Sequence, residues 1–207
     1  MKLIATLIGL LGLLTSPLIL AASLPDSLSL RTSIDGMEIS KMMFTGELGG
    51  YQVQLNGSIQ EIHAQMKELY PDFNPEAIVA NKTLETRAEE NKSDCNCWPV
   101  LGQPEWKRCS TESIRTGIRY LIGLNVICNV GPQSCVRISC SYNAGIYLCN
   151  NRDYLIEPSC TYIASYAQDI VDKCNWHVPG GNTWMWRVSG QAWDTDGYNV
   201  CVHDDNC

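Results

Sequence analysis

Downstream of Cys95, the side chains suited to general acid–base work are two histidines, His177 and His203, and three glutamates, Glu105, Glu112 and Glu157. A His plus Glu pair is the arrangement a ribonuclease-like reaction would use. These five fall on separate helix starts, strands and loops, and no local spacing gathers them. The chain therefore reads as non-catalytic, with no catalytic residues and no cofactor. Asp194, Asp196 and Asn199 set oxygen side chains around Gly197 like half of a calcium loop, but no downstream bidentate glutamate completes it. A hairpin turn accounts for them better. Trp98, Trp106, Trp176, Trp184, Trp186 and Trp193 offer flat apolar faces on which pyranose rings could stack. The competing use is core filling, and Trp184 and Trp186, on one face of an expected strand, suit it.

Eleven cysteines remain: Cys95, Cys97, Cys109, Cys128, Cys135, Cys140, Cys149, Cys160, Cys174, Cys201 and Cys207. Clustered thiolates can hold zinc, yet there is no CxxC pair and the whole chain has three histidines. No metal site is expected. Behind an export signal such a density means disulfides. Eleven is odd, so one is left unpaired, as a free thiol or as a bridge that makes a disulfide-linked homodimer. Each bridge would contribute about 2–4 kcal/mol. Cys201, Cys95 and Cys97 are the candidates for the odd thiol.

The export signal occupies residues 1–23: Lys2, an apolar run through Leu14, a break at Pro17, and the small residues Ala21, Ala22 and Ser23. Residues 24–94 contain no cysteine and carry all three sequons, headed by Asn56, Asn81 and Asn91. This is a glycosylatable leader or propeptide, with Arg87 as a processing site in an exposed linker. It holds twelve acidic against six basic residues, whereas 95–207 holds ten against eight. A near-neutral C-terminal part gives no electrostatic case for nucleic acid, and no later stretch is apolar enough for stable membrane insertion. The expectation is a secreted, extracellular protein.

The elements that must position these residues follow from periodicity. In the leader, Asp35-Gly36 suits a hairpin turn, Tyr51, Val53 and Leu55 alternate as a strand, and Ser58 with Glu61 forms a capping box. Together they make a small ββα-like unit. In 95–207, a helix is expected over 110–121, a hairpin around 141–144 and a second helix over 159–174, with Cys160 and Cys174 on its apolar stripe. A strand from Trp184 to Gln191 then pairs with 198–203 around Asp196-Gly197, after a loop over 175–182. The fold class is α+β, a disulfide-stapled two-layer sandwich of an antiparallel sheet and two helices.

Two runs carry a resemblance. Residues 135–150, with Cys135, Cys140 and Cys149 around Tyr142-Asn143, and 190–202, with Trp193, Asp196-Gly197 and Cys201, closed by Cys207, resemble fungal small secreted cysteine-rich proteins. Residues 55–66 resemble their leader region, and the order of elements is similar to effector and killer-toxin-like α/β sandwiches. Cys201 stands where that pattern would carry a strand hydrophobe, which accounts for the odd count. The resemblance implies a virulence effector that binds a host protein or cell-surface component. Its alternatives are a toxin-like protein acting on competing microbes, and a carbohydrate-binding protein of cell walls.

Overall fold

A computed structural model describes residues 33–79, 91–180 and 183–207. The signal segment, Asn81 and Arg87 lie outside them. The described chain is mixed α/β and strand-rich. In chain order it runs β1 (Ser33–Ile34), β2 (Met37–Lys41), β3 (Met43–Leu48), β4 (Tyr51–Asn56), α1 (Ile59–Leu69), α2 (Pro75–Val79), β5 (Lys92–Cys97), β6 (Cys109–Ser110) and α3 (Thr111–Gly123). It continues with β7 (Asn125–Asn129), β8 (Ser134–Ser141), β9 (Ala144–Asn150), α4 (Cys160–Cys174), β10 (Trp176–Gly180), β11 (Thr183–Val188), β12 (Gly190–Asp194) and β13 (Tyr198–Asp204).

Local chemistry sets most boundaries. Asp35 and Gly36 both take positive φ, 52° and 78°, and turn β1 back onto β2. Ser58 accepts from the Glu61 amide while the Glu61 carboxylate accepts from the Ser58 amide, so two orphan donors of α1 are satisfied reciprocally. Ser110 and Ser159 cap α3 and α4 in the same one-sided way, accepting from the amides of Ser113 and Tyr162.

Seven strands form the main sheet in the order β1-β2-β8-β9-β13-β12-β5, antiparallel except where β2 runs parallel to β8. Residues 33–79 are thus built into the same frame as the cysteine-rich part. A three-stranded sheet, β4-β3-β7, repeats that joining. On the main sheet, Val136, Ile146, Leu148, Val200 and Val202 face a core closed by Ile114, Ile118, Ile163 and Ile170 of α3 and α4, and by Ile59 and Ile62 of α1. The alternate positions Cys135, Tyr147, Cys149 and Cys201 face the other way. That face is also buried, because Ile34, Val100 and Trp106 fold across it.

Four bridges form: Cys97–Cys174, Cys128–Cys160, Cys135–Cys149 and Cys140–Cys207. Both α4 cysteines bridge into strands beneath the helix, as their place on its apolar stripe predicts. Cys95, Cys109 and Cys201 carry thiols, three where the odd count required one. Cys109 and Cys201 are buried and use their thiols as weak donors to the Val188 carbonyl and the Asn199 side-chain oxygen. The neighbouring sulfur of Cys95 belongs to Cys174, which is already bridged to Cys97.

One expected strand proves to be two. The chain from Thr183 to Asp194 changes sheets at the buried Ser189: β12 pairs β13 as expected, but β11 pairs β10, in the stretch expected to be a loop. Residues 175–182 carry Gly180, Gly181 and Pro179, and those turn signals masked the alternation of Trp176 and Val178.

Candidate functional site

The β10–β11 hairpin touches the rest of the strand framework through a two-residue pairing, Arg187 opposite Ser110 and Val188 opposite Cys109. Its outer strand, β10, has no further neighbour in that sheet among the described residues. Around the hairpin, large apolar side chains lie open to solvent: Trp176 is 57% exposed, Trp186 51%, Met185 39%, and Trp98, in the loop after β5, 37%. Isolated exposed hydrophobics are ordinary, but two exposed indoles on one hairpin, with a third beside it, are not.

Cations order this surface. The Arg108 guanidinium lies 4.1 Å from the centre of the Trp98 ring and 5.2 Å from that of Trp176, so it is held between two indoles. Trp98 is itself fixed by donating its indole N–H to the Trp106 carbonyl at 2.8 Å. Across the hairpin, His177 stacks on its cross-strand partner Trp186 with ring centres 4.4 Å apart and 19° between planes. Beside them Glu112, Arg115, Trp186 and Arg187 line a shallow groove of ≈ 240 Å³. Two arginines thus line this groove, and a third, Arg108, is held between Trp98 and Trp176, in a chain of net charge −7. Such a surface can stack a planar or apolar ring and pair a carboxylate beside it.

The residues considered for catalysis are spread apart in use. His203 is buried and sandwiched between Trp106 and Tyr147, with ring centres 4.5 and 4.8 Å away. His177 belongs to the exposed hairpin. Glu112 pairs with Arg119 at 3.4 Å, Glu105 is exposed, and Glu157 lines a second concavity beyond β13. Of the tryptophans, Trp106 fills the core, Trp193 is half-buried and the Trp184 side chain lies outside the described ones. Trp186 is not the core residue its strand position suggested, because β11 leaves the main sheet.

Asp194 is used within the fold. One carboxylate oxygen accepts from the Asp196 amide at 2.7 Å, closing the turn, and the other accepts from the hydroxyls of Tyr162 and Tyr166. Burial first, and then the hydrogen bond to Asp194, push the Tyr166 and Tyr198 phenols far above their usual range. A parallel arrangement at the other end of β13 has Asp205 accepting from Arg137 at 2.9 Å and from Tyr147. Asp194 ties two tyrosines of α4 to the end of β12, and Asp205 ties Tyr147 of β9 to the end of β13.

Asn56, at the end of β4, and Asn91, just before β5, are exposed and available as glycan acceptors. Four disulfides in the described chain, with no described helix long and apolar enough to cross a membrane, are compatible with an extracellular protein. Sequence reasoning missed Arg108 and the hairpin strand β10. The alternation of Trp176 and Val178 was the available signal for the strand, and nothing local marks Arg108. Comparison with protein-family models, with curated proteins and with solved structures finds no match for this chain.

Proposed function

We propose that this is a secreted, glycosylated effector of the fungal cysteine-rich kind, a two-layer α/β sandwich that works by binding a host component rather than by catalysis. The observation that carries the reading is the exposed group of Trp98, Arg108 and Trp176, with Trp186 exposed on the other face of the same hairpin of a bridged frame. Tryptophan and arginine are the residues that dominate binding energy at protein interfaces, and a pre-ordered cluster loses little side-chain entropy on binding. Residues 24–94 then serve folding and export as well as contributing strands, with Arg87 as a candidate processing site.

The test applies purified protein to plant tissue and to fungal or yeast lawns, beside a Trp176→Ala/Trp186→Ala variant. A host response that the variant loses supports the reading. Growth inhibition without a host response would replace it with a killer-toxin-like activity. A second reading is favoured by the half-exposed indoles of Trp176 and Trp186: binding to cell-wall polysaccharide. Retention on chitin or glucan beads that the same variant loses would establish it.

A further inference from the structure

Strand β5 places Cys95 and Cys97 two residues apart, and therefore on one face, with Asn96 pointing the other way. Helix α4 packs across β5 and β12 and ends on Cys174, which is bridged to Cys97. The Cys95 sulfur lies 3.9 Å from that same Cys174 sulfur. One helix cysteine thus has two strand cysteines within reach, one bonded and one carrying a thiol. Room for the exchange comes from Gly190, which sits opposite Cys97 on β12; a Cβ there would stand 3.1 Å from the Cys174 sulfur and 2.8 Å from the Asn96 carbonyl oxygen. Exposure differs between the two strand positions: Cys97 is open to solvent and Cys95 is half-buried.

We propose that Cys95, Cys97 and Cys174 form a thiol–disulfide exchange site, at which Cys174 changes partner from Cys97 to Cys95 and the released Cys97 thiol takes a disulfide-bearing substrate. In the first step the Cys95 thiolate attacks the Cys174 sulfur. The Cys95–Cys174 bond forms, the Cys97–Cys174 bond breaks, and Cys97 leaves as the thiolate. The proton lost by Cys95 is matched by one gained at Cys97 through solvent, so no oxidant or reductant is consumed. In the second step Cys97 attacks an external disulfide, forming a mixed disulfide and expelling the other half as a thiolate.

Closing the 3.9 Å gap to a bond of about 2.0 Å needs chiefly a rotation about the Cys174 Cα–Cβ bond at the last residue of α4. Burial raises the Cys95 thiol above its usual range, with Asp169 adding to the rise and Lys173 and Lys92 opposing it. The structure carries the Cys97–Cys174 bridge beside a protonated Cys95 thiol, so exchange is slow at neutral pH. The other two thiols, Cys109 and Cys201, are buried in the sheet and hydrogen-bonded, and serve as internal controls.

The native, unreduced protein is incubated with glutathione disulfide and its peptides are mapped by mass spectrometry without reduction. The expected product carries glutathione on Cys97 and a Cys95–Cys174 bridge. Glutathione on Cys95 with the Cys97–Cys174 bridge intact, or no adduct, overturns the proposal. In Cys95→Ser the adduct on Cys97 is expected to fall to the background at Cys201; continued modification of Cys97 refutes the relay. Cys97→Ser is expected to secrete with a Cys95–Cys174 bridge, and an unbridged Cys174 in that variant counts equally against it.

Discussion

Gly117 offers a test in which helix propensity and packing predict opposite signs. It lies inside α3, buried, where the helix crosses β8 and β9. Replacing a mid-helix glycine by alanine ordinarily stabilises by about 0.5–1 kcal/mol. Here a Cβ would meet the Ser139 hydroxyl oxygen at 2.5 Å, the Ser139 Cβ at 3.2 Å and the Ile146 Cδ1 at 3.1 Å. Ser139 is buried and cannot simply swing away, since its hydroxyl accepts from the Gln60 side-chain amide at 2.9 Å. Overpacking of this kind costs about 1–3 kcal/mol, and losing the hydrogen bond adds about 1 kcal/mol. Gly117→Ala is therefore expected to destabilise by about 1–3 kcal/mol after the propensity gain, which lowers Tm by roughly 3–10 °C in a chain of this size. Thermal unfolding by circular dichroism measures it. Adding Ser139→Ala removes the closest contact, so the double variant should recover part of the loss. A Gly117→Ala protein as stable as the parent, or more so, refutes the argument that α3 is seated against the sheet at this glycine.

Three further outcomes follow from buried ionisable groups and the cysteine inventory. Burial against Phe73 and Tyr120 holds the His63 imidazole down at about 4, so between there and its ordinary value near 6.5 the unfolded chain binds a proton that the folded chain refuses. Stability should fall as pH drops through that window, by about 1–2 kcal/mol once partial exposure is allowed for, and urea titrations of His63→Phe should show a flatter curve. Tyr147, Tyr166 and Tyr198 are held protonated by burial and by hydrogen bonds to Asp205 or Asp194; the native state therefore keeps protons that the unfolded state sheds above pH 10, and stability declines as pH rises past that point. Absorbance titration at alkaline pH should show these three ionising only with unfolding, and early ionisation would contradict their burial. Alkylation of the denatured, unreduced chain should add three groups, at Cys95, Cys109 and Cys201, while the native chain reacts slowly and leaves Cys109, whose thiol is pushed up to about 12, untouched.

Much of the local structure was legible because its causes are local. The Asp35-Gly36 turn, the Ser58–Glu61 capping box and the 3, 4, 7 spacing of α4 each depend on residues within a few positions of one another. The sheet change at Ser189 was not legible. Residues 184–191 alternate as a single strand would, and the choice of β10 as the partner of β11 depends on a hairpin whose turn is rich in glycine. The parallel pairing of β2 with β8 joins residues about a hundred positions apart, and no periodicity encodes such a partner. Likewise, the alternation along β13 marks one buried face, that of Tyr198, Val200 and Val202. The second is buried as well, because Trp106 and Val100 arrive from a distant loop.

By itself, the amino-acid sequence determined α1, α3 and α4, though not the short α2, together with the β8–β9 hairpin and the placement of Cys160 and Cys174 on a buried stripe, all of which rest on short-range stereochemistry and apolar period. Only the tertiary structure decided which cysteines meet, because a bridge requires Cβ atoms about 4 Å apart and that proximity is created by sheet order and helix seating. The same holds for the surface. Arg108 lies between Trp98 and Trp176, residues separated along the chain by α3, four strands and α4, and their cluster exists because the folded core carries the β10–β11 hairpin to that place.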